Sequence, residues 1–286
     1  MEEERQQTTL GRVVTITSGK GGVGKTTATA NIGAALAAMG KSVALVDADI
    51  GLRNLDIVLG LENRIVYDLV DVVEGTCRLR QAMIRDKRLN NLYLIPAAQT
   101  REKDAVSPQQ MKTLCEELRR QFDFTLIDSP AGIEQGFRNS IAGADEVVVV
   151  TNPEVSSVRD ADRIVGLVEA AELPIPRVIV NRLDPALVRR GDMMSVDDVT
   201  EILAIPLLGV VPNDETIITS TNRGEPAALD MASRAGQAFR NIAARLTGEE
   251  VPLMQLEEPD GTWRRILRSL GLGGSRNVPV RGGGAS

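Results

Sequence analysis

The sequence predicts a doubly wound α/β fold, a mainly parallel sheet flanked by helices on both faces, followed by a C-terminal amphipathic helix. Three observations predict it. Short runs rich in Val, Ile and Leu alternate with longer helical stretches as far as Leu246. Most of those runs lack polar alternation, so both of their faces must be covered. The residues with the chemistry of a ligand site stand just after such runs, at the strand ends where doubly wound sheets bind their ligands.

The elements are expected in the following order. RVVTITS (12–18) is the first strand, and the helical stretch 25–39 follows it and stops at Gly40. Strands are then expected at 42–47 (SVALVD), 91–97 (NLYLIPA), 122–129 (FDFTLIDS), 146–151 (EVVVVT), 177–181 (RVIVN) and 206–211 (PLLGVV). Further helices are expected near 65–73, 107–120, 157–171, 195–203 and 227–246. Residues 1–11 form an N-terminal extension, 12–246 one compact domain, and the acidic, proline-punctuated 247–262 a linker. A short amphipathic segment, 263–272, and a disordered tail, 273–286, complete the expected organisation.

Composition narrows the chemistry. Of 286 residues, 43% are hydrophobic but only 2% aromatic, so the core must be aliphatic. The net charge of −6 argues against wholesale coating by nucleic acid, and none is expected as a partner. Histidine is absent, which removes Ser-His and Cys-His nucleophiles and any imidazole zinc site. Cys77 and Cys115 are far apart and form no CxxC, so two reduced structural thiols are expected. There is no run of 18 apolar residues, and the charged start MEEERQQTT is no signal peptide, so a cytosolic protein is expected.

Gly19 to Thr26 reads GKGGVGKT and fits GxxxxGK[ST] after a strand and before a helix. In such a loop the backbone N–H groups of Gly19, Lys20, Gly21, Gly22, Val23 and Gly24 turn inward around phosphate oxygens, and the helix start at Lys25, Thr26 and Thr27 adds partial positive charge. Lys25 would neutralise β and γ oxygens, and the Thr26 hydroxyl would hold Mg²⁺. FDFTLIDSPAG (122–132) is a hydrophobic strand ending in Asp128, the Walker-B arrangement, which would bind Mg²⁺ through water; the small residues of SPAG suit a switch. SVALVDADIGLRNLD (42–56) sets Asp47 and Asp49 at another strand end, where a carboxylate must orient the attacking water because no histidine is available. The guanine-reading NKxD is absent, which favours ATP.

These motifs resemble the deviant phosphate loop of the MinD/ParA family of ATPases. The resemblance implies that Lys20, the early lysine of the loop, contacts phosphate across a nucleotide-sandwich homodimer. It implies that Asp49 orients water while Asp47 fixes the loop or the metal's water shell. It also implies that Asn181 and Arg182 of VIVNRLD, with Pro212, Asn213 and Asp214 of GVVPNDE, flank adenine. DADIGLRNLD (47–56), DSPAGIE (128–134), TNPEVSSVRDADR (151–163) and STNRGEP (220–226) look like the septum-site-determining branch of the family. That branch implies a MinC-like division inhibitor and a MinE-like ATPase activator as partners, and ATP and Mg²⁺ as cofactors. A flagellar-number ATPase and a DNA-partition ATPase share the loop and are the nearest alternatives. An iron–sulfur carrier would need the clustered cysteines that are missing, and a scaffold that binds ATP without turnover is the alternative of a different class.

The last segment carries its own physics. At about 100° per residue, Trp263, Ile266, Leu267 and Leu270 fall on one side of a helix, and Arg264, Arg265 and Arg268 on the other. Thr262 suits its start and Gly271 its end. Such a helix binds a surface of anionic lipids weakly, and a dimer carrying two can gain about 10²–10⁴ in apparent affinity. The expected location is therefore cytoplasmic and peripheral on the inner face of the cell membrane.

Overall fold

The computed structural model describes residues 10–102, 105–254 and 256. Residues 1–9 of the expected extension, residues 255 and 257–262 of the linker, the segment 263–272 and the tail lie outside the described residues.

One eight-stranded sheet organises the described chain. Its strands are β1 (Arg12–Thr17), β2 (Val43–Asp47), β3 (Ile84–Arg85), β4 (Leu92–Ile95), β5 (Phe124–Asp128), β6 (Glu146–Thr151), β7 (Arg177–Leu183) and β8 (Leu207–Pro212), in spatial order β3-β4-β2-β5-β1-β6-β7-β8. Every pairing is parallel except the short β3–β4 contact at one edge. The helices in chain order are α1 (Lys25–Ala38), α2 (Leu55–Leu59), α3 (Leu69–Val73), α4 (Leu79–Ala82), α5 (Pro108–Arg119), α6 (Gln135–Ile141), α7 (Val155–Ala170), α8 (Pro185–Arg190), α9 (Val196–Leu203), α10 (Thr216–Asn222) and α11 (Arg234–Leu246). The uninterrupted apolar strands are buried as their composition requires: every residue of β2 and β5 is buried. Two aliphatic layers result. One packs α1, α2 and α11 on a sheet face around Ile16, Leu45 and Phe239, and the other packs α3 and α5 on the opposite face around Val46, Ile127 and Leu118. No helix among the described residues is long and apolar enough to cross a membrane.

The central helix α1 is buried over most of its length, so its Ala- and Gly-rich sequence serves close approach rather than amphipathicity. A Cβ on Gly33 would lie 2.5 Å from Leu45 Cδ2. The expected helix 227–246 divides in two: a 3-10 turn at Ala227–Leu229, then α11. Ser233 makes the break, because its hydroxyl caps the new helix by accepting from Gly236 N at 2.9 Å. The helix expected near 65–73 is confined to α3, which Asp68 caps from both Val70 N and Asp71 N. Five short helices (α2, α4, α6, α8 and α10) and the edge strand β3 have no counterpart in the sequence expectations, because elements of two to seven residues carry too little periodicity to be read. Both cysteines are free thiols; Cys115 is buried, with its thiol pushed up to about 12 by burial, whereas Cys77 is half-buried.

Candidate functional site

Parallel pairing brings the first part of the site together. β5 lies between β2 and β1, and its register sets Asp128 opposite Asp47 on one side and Ile16 on the other. The glycine-rich loop leaves β1 two residues later and runs into α1. Its base is stitched to the switch segment, since Ser129 N donates to Ile16 O at 3.1 Å and Gly132 N to Ser18 O at 3.0 Å. Gly24 holds the turn into α1 at φ +94°, a left-handed conformation that suits glycine. Among the described residues, the amides of Gly19, Gly21, Gly22 and Gly24 donate to no other group. Such a row of open N–H groups at a helix start is what a phosphate would engage.

Beneath the loop lies a buried polar cluster. Lys25 Nζ donates to Asp128 Oδ1 at 2.7 Å and to the Thr26 hydroxyl at 3.4 Å. Thr29, one turn further along α1, also places its hydroxyl 3.1 Å from Asp128 Oδ1. Asp128 Oδ2 is buried and has no hydrogen-bond partner. This orphaned oxygen, with the Thr26 hydroxyl in the same cluster, fits a hydrated divalent cation, whose hard oxygen-ligand chemistry matches such donors.

Asp47 faces the same cluster but points its carboxylate into the chain. Its Oδ1 accepts from Asp49 N at 3.0 Å, and its Oδ2 from Asn54 N and Leu55 N, both at 3.2 Å. It therefore fixes the loop that carries Asp49 and caps the start of α2. Burial, then the charge of Asp128, raise its pKa to about 7 from the ordinary 3.8, against the lowering effect of its amide donors. Asp47 thus holds the loop on which Asp49 stands half-buried.

The second part of the site is a cleft of about 430 Å³ lined by Gly24, Thr27, Asn181, Arg182, Pro212 and Asp214, together with Ile217, Ile218 and Phe239. Every expected base-flanking residue meets here. β7 is irregular between Val180 and Leu183, and Arg182 sits at φ 56°. That irregularity sends Asn181 inward and leaves Arg182 exposed. Asn181 Nδ2 donates to Val23 O at 2.7 Å. A carbonyl only accepts, so this contact fixes the amide's orientation and leaves Oδ1 as the acceptor on the cleft wall. Asp214 is committed otherwise: its Oδ1 accepts from Thr216 N and its Oδ2 from Ala235 N. Burial opposes its ionisation, but these amides and the Thr216 and Ser233 hydroxyls outweigh that and hold its pKa below the ordinary value.

Lys20 stays out of the cluster. It is exposed, and its Nζ reaches Ser156 Oγ of α7 at 3.4 Å. Gly19 beside it abuts α7 so closely that a Cβ would lie 2.2 Å from Asp160 O. The expected lipid-facing residues Trp263 to Leu270 lie outside the described residues. Sequence reasoning missed Thr29, although its spacing of four from Lys25 sets both on one face of α1. It also missed the apolar wall of the cleft, because Ile217 and Ile218 belong to α10, a short run of β-branched and polar residues that helix propensity disfavours.

The family described as the CobQ/CobB/MinD/ParA nucleotide binding domain matches residues 14–227. The septum site-determining protein MinD of Bacillus subtilis is 57% identical over 266 residues, covering 92% of this chain and 99% of its own length. The MinC:MinD cell division protein complex of Aquifex aeolicus contains a chain of the same fold, with TM-score 0.81 and 49% identity, covering 86% of this chain and 100% of that one. MinD of Pyrococcus horikoshii, complexed with Mg-ADP, has TM-score 0.75 and 33% identity over 83% of this chain and 96% of its own. A glycine-rich loop over Lys25 and Asp128, a cleft beside it and relatives of this closeness over nearly the whole length lead to one assignment: this chain belongs to the septum site-determining MinD family of nucleotide-binding ATPases.

Proposed function

We propose that this protein is an ATP-dependent, dimerising ATPase that brings a MinC-like inhibitor to the membrane and leaves it when a MinE-like partner stimulates hydrolysis. The observation that carries the reading is the meeting of Lys25, Thr26 and Asp128 directly beneath the open amides of the glycine loop. In this arrangement Lys25 and the amides take the phosphates, and Thr26 and Asp128 hold magnesium. A divalent metal bound there would supply positive charge against the phosphate oxygens. Asp49, on the loop pinned by Asp47, orients the attacking water. Asn181 presents an acceptor to the base, which suits the 6-amino group of adenine and disfavours the 6-oxo group of guanine.

Lys20 has no place among the buried groups of its own subunit, and its exposure supports action on the nucleotide of a second copy. The MinC:MinD complex of Aquifex aeolicus supports the inhibitor partner, and the magnesium nucleotide of the Pyrococcus horikoshii protein supports the cofactors. Membrane contact is assigned to the sequence segment 263–272, whose apolar and cationic residues alternate at helical spacing.

The test is co-sedimentation of the full chain with vesicles containing phosphatidylglycerol. The protein is expected in the pellet with ATP or a non-hydrolysable analogue, and in the supernatant with ADP. Equal capture with ADP would remove the coupling between nucleotide and membrane.

A further inference from the structure

We propose that Thr29 is a positioning residue for the metal site, holding the Asp128 carboxylate in place when Lys25 leaves it for the nucleotide. The inference rests on the nucleotide reading of the site. It starts from a count of partners. Asp128 Oδ1 accepts from Lys25 Nζ at 2.7 Å and from Thr29 Oγ1 at 3.1 Å, while Oδ2 accepts from no group. The Lys25 ammonium ends a flexible stem, and turning it toward a bound phosphate draws it away from Asp128. Binding a nucleotide therefore weakens one of the two contacts to Oδ1 and leaves Thr29 as the partner held on a packed helix.

Thr29 is suited to stay. It is fully buried on the helix that begins at the phosphate loop, and that helix is packed on nearly every side. Its hydroxyl also lies 3.1 Å from Lys25 O, the ordinary bond of a threonine to the carbonyl four residues back. That bond alone would make Thr29 a local helix feature. The second contact, across 99 residues to Asp128, is what sets it apart. A hydroxyl carries one proton and here meets two acceptors, and donation to an ionised carboxylate is the stronger choice. Thr29 thus fixes the rotation of the carboxylate, so that Oδ2 meets a cation without reorganisation. Residues that orient a ligand in this way commonly change metal affinity by about 10–100-fold when removed.

The experiment titrates Mg²⁺ against binding of a fluorescent ATP analogue by the full chain, in the wild type and in Thr29→Val and Thr29→Ser, with circular dichroism to verify folding. In EDTA all three are expected to bind the analogue within about twofold of one another, since Lys25 and the loop are untouched. The half-saturating Mg²⁺ concentration is expected to rise about 10–100-fold in Thr29→Val and to return to within about threefold of wild type in Thr29→Ser. If Thr29→Val does not fold, Thr29→Ala takes its place with the same expectation. A wild-type Mg²⁺ curve without the hydroxyl overturns the proposal. So does a serine that fails to restore the curve, and so does a variant whose metal-free binding falls as far as its metal-dependent binding. A wild-type chain that binds no nucleotide defeats the reading of the whole site, and shows itself before any substitution is compared.

Discussion

Asp47 shapes the candidate site through backbone amides. Its two oxygens take three backbone amides, which shape the loop bearing Asp49, yet it stands buried beside Asp128. Burial and that neighbouring charge raise its pKa to about 7. A carboxyl raised in this way binds its proton more tightly in the folded chain than in the unfolded one. Its contribution to stability is therefore greatest below the unfolded value and declines as pH rises from about 4 to about 7. Asparagine at 47 stays neutral throughout and has no such decline. Urea unfolding in EDTA without nucleotide is expected to show the stability gap between wild type and Asp47→Asn narrowing as pH rises through that window. A gap that is constant or widens would count against the raised pKa.

At the scale of elements, short helices join the loops after β2 and β8. α2 follows the Asp49 loop and α10 follows the cleft turn, and the two meet where their last turns end. Gly60 and Gly224 lie there in left-handed conformations, at φ 65° and 63°. A Cβ on Gly224 would be 2.5 Å from Gly60 Cα, so backbone meets backbone with no room for a side chain. Arg88 closes the contact by donating to Leu59 O and Gly224 O, both at 2.8 Å. Gly224→Ala is expected to destabilise the chain by about 1–3 kcal/mol, from the left-handed backbone and the overlap together. Thermal unfolding checks this, and an unchanged midpoint would show that the contact can open without cost. The STNRGEP stretch thus acquires a structural role in its glycine.

At the scale of the molecule, the sheet gathers the residues proposed to hold nucleotide at the carboxyl ends of β1, β2, β5, β7 and β8, while the residues proposed to meet lipid belong to a sequence segment beyond α11. Separate locations in the sequence predict separable functions. Ile266→Glu puts a charge into the apolar stripe and leaves every residue of the described site unchanged. Vesicle capture with ATP is expected to be abolished, while ATP-dependent dimerisation, followed by light scattering, persists. Loss of both together would show that the segment also serves the dimer.

What the sequence determined by itself was local. The seven long strands, the phosphate loop, Lys25, Thr26 and Asp128 were legible because each rests on composition or spacing within a dozen residues: apolar runs, glycines before a lysine, an aspartate ending a strand. Asn181, Pro212 and Asp214 were legible only through resemblance, and the sequence held nothing to say that Asn181 would bind the Val23 carbonyl. The tertiary structure decided how these pieces join. It set β5 between β1 and β2, which gives Asp128 both Asp47 and Thr29 as neighbours, and it divided 227–246 at the Ser233 cap. It also folded α10, whose β-branched residues favour no helix alone, against α2 and the cleft. The reason is physical: periodicity and spacing act along the chain, whereas a carboxylate's partners and a short helix's stability come from groups far away in sequence, brought close by strand order.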